Sequence, residues 1–427
     1  MLSKKWFCFM GCLLLLVVLI LPTFASAADV TTIQYAFWGN PAAIGVEKDI
    51  IDAFEKIHPN IKVQPIAVGY SDYHTKLLTL IAGGQAPDVM RIDSYFMADF
   101  IKTNALKDIS RLIQRDKFAM TSFYQAGLLD CMKGSKYYGL PWGTAPCYVF
   151  VNAKIFKDAG IKIPSPDWKY EDFIRIAKQL TKGSGADKQY GFGFQTSDLM
   201  HLLPFVWGNG GDIFDKNRKK FTLDQPAAYQ KIQELANMIK NGYYPDPAQF
   251  QGEVLNRWMT NYKLAMRIGT AQDILSFQNI DNFEFEVLPF PGTTKYPKAT
   301  IYKSNVVGIS ASTKKEKAAW TFLKFLRGPG EQGEILYMHA KRMPPTFDNP
   351  ELWKMYADTT KSPKMVVEVT KAIANHYAHT LPLRSGWMEI QGLLLPQLQR
   401  VYSGQIDAAR GMKEIAPKIT EVLKRNN

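Results

Sequence analysis

Cysteine is scarce in this chain, with four in 427 residues and none in a Cys-x-x-Cys spacing. That excludes a disulfide-built scaffold, and the absence of His-Glu-x-x-His leaves a zinc centre without support. The six histidines (His58, His74, His201, His339, His376 and His379) are dispersed. Only His376 and His379 fall at i, i+3, and a metal site would need further ligands. There is no Gly-x-Ser-x-Gly elbow and no Walker-type phosphate loop, and Gly191-Phe192-Gly193 lacks the third glycine of a dinucleotide fingerprint. No apolar run beyond Leu21 reaches transmembrane length, and there is no internal repeat, low-complexity stretch or long linker. No metal and no cofactor are therefore expected.

What is there is ordinary globular composition, 46% hydrophobic and 21% charged. The length suits two or three domains of roughly 150 residues. Residues 1–27 read as a signal peptide: Lys4 and Lys5, an apolar run from Trp6 to Leu21, a break at Pro22, and Ala25-Ser26-Ala27 as a small-x-small site. Cleavage after Ala27 is expected over an uncleaved anchor, and Cys12 lies too early to become a lipid-modified first residue. The expected location is a bacterial periplasm. The formal charge of +13 becomes +11 once Lys4 and Lys5 are lost. The remaining lysines are scattered, which fits a solvated surface, and export argues against nucleic acid. Cys131 and Cys147 survive cleavage and bracket the turn Gly134-Ser135-Lys136. In an oxidising compartment they either pair or remain two buried thiols, and spacing leaves both open.

The first half alternates strands and helices. Ile33–Phe37 reads as a strand, Val46 to Ile57 as a helix stopped at Pro59-Asn60, and Ile61–Val68 as a strand despite Pro65. Tyr73 to Ile81 follows as a helix ended by Gly83-Gly84, and Val89 opens a strand that ends in Asp93-Ser94. This order implies right-handed crossovers and a largely parallel sheet. After Pro141 the pattern restarts with Tyr148–Val151, and a second α/β lobe runs to about residue 300. Leu264–Ile268, Glu284–Leu288 and Val306–Ser310 read as strands, Lys314–Arg327 as a helix, and Asn349 onward as mostly helical.

The stretch Gly83-Gly84-Gln85-Ala86-Pro87-Asp88-Val89, running through Asp93 to Asn104-Ala105-Leu106, resembles the extracellular solute-binding proteins of ABC sugar importers, the maltose-binding-protein relatives. Tyr138-Gly139-Leu140-Pro141 with Asn152-Ala153-Lys154, and Asn209-Gly210-Gly211, are similar to the same family in the same order. The resemblance spans nearly all of residues 30–425. It implies a class II periplasmic-binding-protein fold of two discontinuous α/β lobes joined by a hinge. These are residues 28–145 with 303–342, and 146–302 with 343–427. The implied crossings lie near 143–147, 300–304 and 341–346. The implied partners are a sugar and ABC permease subunits, with a monomeric receptor that performs no catalysis.

A sugar presents weakly apolar ring faces and a rim of hydroxyls, so its site needs flat aromatic side chains beside planar polar ones. Trp38-Gly39-Asn40 follows the first strand, where open α/β sheets bind ligands, so Trp38 and Asn40 are candidates, with a core plug as the alternative for Trp38. Asp93 occupies the family's hydroxyl-binding position, or else caps a helix. Trp142 and Thr144 lie at the first crossing, Tyr302 at the second and Arg342 at the third. Trp207 and Asn209 lie in a loop of the second lobe, where Asn209 also suits a left-handed turn. Arg384 and Trp387 lie where relatives place a stacking aromatic or a hydroxyl-binding arginine. After Gly269, also a candidate, many relatives carry a tryptophan, whereas this chain reads Thr270-Ala271-Gln272. Arg384, Arg342 and the basic balance also suit an anionic solute such as a glycerophosphodiester or a sugar acid. A secreted carbohydrate-active enzyme is the other alternative, but no local pattern nominates a pair of catalytic carboxylates.

Overall fold

A computed structural model describes residues 30–247, 253–340 and 343–426. The proposed leader and Arg342 lie outside the described residues.

The first half is built as its alternation predicts. Strand β1 (Thr31–Trp38) runs parallel to β2 (Ile61–Val68) and β3 (Val89–Ile92), with helix α1 (Pro41–Ile57) and helix α2 (Tyr70–Ala82) as crossovers. Helix α1 begins earlier than its apolar spacing suggests. Asn40 caps it by accepting from the Ala43 N–H at 2.9 Å, and Pro41 fills the first turn, where no N–H is needed. Pro65 is tolerated because β2 is an edge strand of the sheet. Gly84, at φ +70°, turns the chain out of α2. After β3, Asp93 caps helix α3 (Ser94–Lys102) through the Tyr95 N–H.

A small hairpin, β4 (Met132–Lys133) and β5 (Lys136–Tyr137), precedes the two strands that join the halves. Strand β6 (Leu140–Asn152) is continuous through Pro141 and Pro146, longer than expected. Its first part pairs antiparallel with β9 (Thr300–Ile309), and from Cys147 it pairs with β7 (Met266–Thr270) and β8 (Phe285–Leu288). Strand β9 in turn continues to β3, and its start accepts β10 (Ala378–His379). The resulting order is β2-β1-β3-β9-β6-β7, with β8 on β6 and β10 on β9.

Three apolar cores lie about this sheet. One packs the helices Tyr170–Gln179, Leu199–Trp207, Pro226–Lys240, Trp387–Tyr402 and Ala408–Arg425 on the second half. Another combines α1 with Trp320, Phe322 and Trp353 and extends to Phe150 and Phe285. A third packs α2 and α3 on β3. Cys131 belongs to the third core and Cys147 to the first, and both are free, so the pairing left open by the sequence does not form. Helix Ala408–Arg425 passes through Pro417 without ending. No described helix is long and apolar enough to cross a membrane.

Candidate ligand cleft between the halves

A cleft of about 630 Å³ opens between the halves, at the carboxyl ends of β1 and β3. One wall is aromatic. Trp38 ends β1, Tyr70 begins α2 and Tyr95 lies in the first turn of α3. The Trp38 ring meets Tyr70 at 5.7 Å and Tyr73 at 5.3 Å, both at steep angles, which fixes its plane. Behind it the buried Arg91 holds the Trp38 carbonyl at 3.1 Å. The charge of Arg91 is balanced by Glu47, which also accepts from Tyr337 at 2.6 Å. Trp142 is 7% exposed and lies under the Arg91 guanidinium, 3.6 Å from ring centre to Cζ. It therefore backs the wall and does not line the cleft.

The floor is supplied by the shared strands. Lys303 and Asn305 of β9 and Ala145 of β6 line the cleft. Lys303 Nζ bonds the Asp93 carboxylate at 2.7 Å and sits 4.2 Å from the centre of the Tyr95 ring. The Tyr70 hydroxyl also donates to Asp93, at 3.1 Å. Burial would raise the Asp93 carboxyl, but Lys303 and the Tyr95 N–H outweigh it and hold it below the usual carboxylate range. Burial pushes the His74 imidazole down to about 4, which leaves its Nε2 free to accept the Asp93 N–H at 3.1 Å.

The opposite wall is polar. Asp198 caps the helix Leu199–Trp207 through the Met200 N–H at 2.9 Å, and the neighbouring His201 is kept neutral by burial. Arg267 of β7 meets Asp273 at 3.4 Å, and Asp273 also accepts from the Thr270 N–H and from Asn256 Nδ2. Thr270 and Gln272 line this wall, and among the described lining residues every tryptophan and tyrosine belongs to the other wall.

The structure thus brings Trp38 and Asp93 together in the cleft and distributes the other described candidates elsewhere. Asn40 is used as a cap. Thr144 and Tyr302 are fully buried beneath the floor, because strand alternation turns them away while Ala145 and Lys303 face the cleft. Trp207 lies at the end of a helix, not in a loop, and its Nε1 donates to Asp212 at 2.9 Å. Asn209 Nδ2 donates to the Ala227 carbonyl at 2.8 Å, and the left-handed residue of that turn is Gly210 at φ +76°. Gly269 is required by packing, since a Cβ there would lie 2.6 Å from Asp273 and 2.8 Å from the Phe150 ring. Trp387 is fully buried as the first residue of its helix.

Arg384 lines a second interface cavity of about 510 Å³, together with Ser94, Asp130 and Arg218. Its guanidinium bonds the backbone carbonyls of Arg218 and Leu423. Burial raises the Asp130 carboxyl to about 7, although the Ser304 N–H bonds it. The sequence reading missed Tyr70, Tyr95, Asp198, Lys303 and Asn305. For Lys303 the signal was its place beside Tyr302 at a crossing, but which of two neighbours faces a cleft is set by strand register.

Two α/β halves joined by shared strands, with an aromatic wall facing a polar one across a cleft, define a ligand-binding receptor. Residues 42–333 match the family described as bacterial extracellular solute-binding protein, and the chain belongs to that family. A binding protein of Brucella abortus is 25% identical over 100% of both chains. The arabinooligosaccharide-binding protein of Bacillus subtilis is 26% identical over 45% of this chain and 44% of its own. Among solved structures, an ABC substrate-binding protein from Listeria monocytogenes in complex with cycloalternan superposes with a TM-score of 0.81. It is 24% identical and covers 93% of this chain and 100% of its own. The fold is therefore that of sugar-binding ABC receptors, and the named relatives are binding proteins.

Proposed function

We propose that the protein is the substrate-binding subunit of an ABC importer, capturing a mono- or oligosaccharide in the cleft and delivering it to a membrane permease. The observation that carries this reading is the partly exposed wall of Trp38, Tyr70 and Tyr95 facing hydrogen-bonding side chains across about 630 Å³. A volume of roughly 300–1,000 Å³ is usual for small-ligand sites. The names of the arabinooligosaccharide and cycloalternan receptors support a sugar. Residues 28–145 with 303–342 and residues 146–302 with 343–427 act as lobes that close on it. The receptor works as an exported monomer in the periplasm, released from its leader after Ala27.

Hydrolysis is disfavoured at this cleft. A general acid needs a raised carboxyl pKa, whereas Asp93 is held low by Lys303 and Asp273 is committed to Arg267 and a helix cap. That leaves Asp198, itself a helix cap, without the second free carboxylate that glycoside hydrolysis needs. The anionic-solute alternative loses one of its three motives, because Arg384 does not line the Trp38 cleft.

A thermal-shift screen over neutral sugars, sugar acids and glycerol phosphates tests the reading. At a hundredfold excess over Kd a ligand stabilises the fold by about 2.7 kcal/mol. Neutral sugars are expected to raise Tm, and Trp38→Ala to abolish most of the shift. Stabilisation by anions alone would overturn it.

A further inference from the structure

We infer that the cleft selects a sugar bearing a protonated amine, seated at Asp198, over its neutral or acidic counterpart. This rests on the proposed sugar-binding role and adds the charge class of the ligand. The chain as a whole is basic, but the described lining of the cleft carries an excess of acid. Among the described lining residues three carboxylates, Asp93, Asp198 and Asp273, stand against two cations, Lys303 and Arg267. Lys303 is spent on Asp93 at 2.7 Å and Arg267 on Asp273 at 3.4 Å. Asp198 has no cationic partner among the described residues, and one of its oxygens caps the helix Leu199–Trp207. The positive end of that helix offsets part of the Asp198 charge and fixes the carboxylate in place.

Hydrogen-bond accounting points the same way. Asn305, 8% exposed, lines the cleft with a buried Oδ1 that has no partner. Asn256 gives its Nδ2 to the acceptor-only Asp273 carboxylate, so its amide orientation is fixed and its Oδ1 is left as a second buried acceptor without a partner. Unmatched acceptors call for a ligand that donates, as an ammonium and a hydroxyl both do, whereas a carboxylate or phosphate only accepts. This weighs against the acidic forms, and the unpaired Asp198 weighs against the neutral ones. The aromatic wall suits a cation as well. Lys303 already lies over the Tyr95 ring, and like-charge repulsion keeps a ligand amine off that cation, whereas Asp198 is the lining carboxylate with no cationic partner among the described residues.

The test is calorimetric titration of the intact mature protein with mono- and disaccharides of several linkages, each as hydroxyl, free-amine, N-acetyl and carboxylate forms. At pH 6 the amine form is expected to bind about tenfold or more tighter than its hydroxyl and N-acetyl counterparts, and the carboxylate form weakest. Asp198→Asn keeps a competent helix cap and is expected to cost the amine form about tenfold more affinity than it costs the hydroxyl form, so that the amine preference is erased. Equal or tighter binding of the hydroxyl forms would overturn the inference and leave the sugar-binding role standing. An amine preference that survives in Asp198→Asn would overturn the seat at Asp198. Failure of every form to bind would overturn both the inference and the role.

Discussion

At the residue scale the cleft depends on charges taken out of water. The side chains of Lys303 and Asp93 are 10% and 4% exposed, so each is tolerated only because the other is there. Lys303→Met is expected to destabilise the fold by about 3–5 kcal/mol in urea at pH 7, by stranding Asp93. The double change Lys303→Met with Asp93→Asn should cost less than Lys303→Met alone, which a double-mutant cycle would register. Asp93, with its pKa lowered in the fold, contributes stability that is present above the unfolded carboxylate value near 3.9 and lost as pH falls through the folded value. His74 acts in a higher window. Its folded pKa of about 4 lies below the ordinary 6.5, so the unfolded chain takes up a proton first and stability declines as pH drops from 6.5 towards 4. His201 works in the same direction. His74→Gln, which keeps an acceptor for the Asp93 N–H, is expected to flatten part of that slope in chemical denaturation followed between pH 7 and 4.

At the scale of elements, caps and strand register decide which polar residues serve the fold and which remain for a ligand. Asn40, Asp93 and Asp198 each cap a helix, and only the latter two also line the cleft. Asn40→Ala is therefore expected to lower stability by about 1 kcal/mol while leaving ligand affinity within about twofold, measured by denaturation and titration. The alternation of short strands and amphipathic helices was legible up to β3, because each element there announces itself by apolar period and by Gly or Pro punctuation. Strand β9 was read too short. Its unread first part, Thr300–Asn305, mixes buried apolar, aromatic and polar types as a strand shared between halves must. The helix Leu199–Trp207 went unassigned and its last residue, Trp207, was placed in a loop, because every residue in it is buried, which removes the polar face that marks a helical period.

For the whole molecule, closure is a balance between interface contacts and ligand contacts. Helix α3 touches the other half through Asp99 to the Gly386 N–H at 3.3 Å and Lys102 to Asn426 at 3.2 Å. Both of these bonds are exposed or only partly buried, so ligand is expected to govern the equilibrium. Small-angle scattering should show the radius of gyration falling on saturation with a stabilising sugar, and an unchanged radius would count against hinge closure.

The sequence by itself determined the α/β alternation and the place of Trp38 at a strand end, since period and punctuation are local properties, while the family and the role of Asp93 came from resemblance to the solute-binding proteins. Only the tertiary structure decided that Thr144 and Tyr302 face inward while Ala145 and Lys303 face the cleft, and that Trp207 and Trp387 belong to a core. Burial and pairing across hundreds of residues depend on register between strands distant in the chain, and no local pattern carries that register.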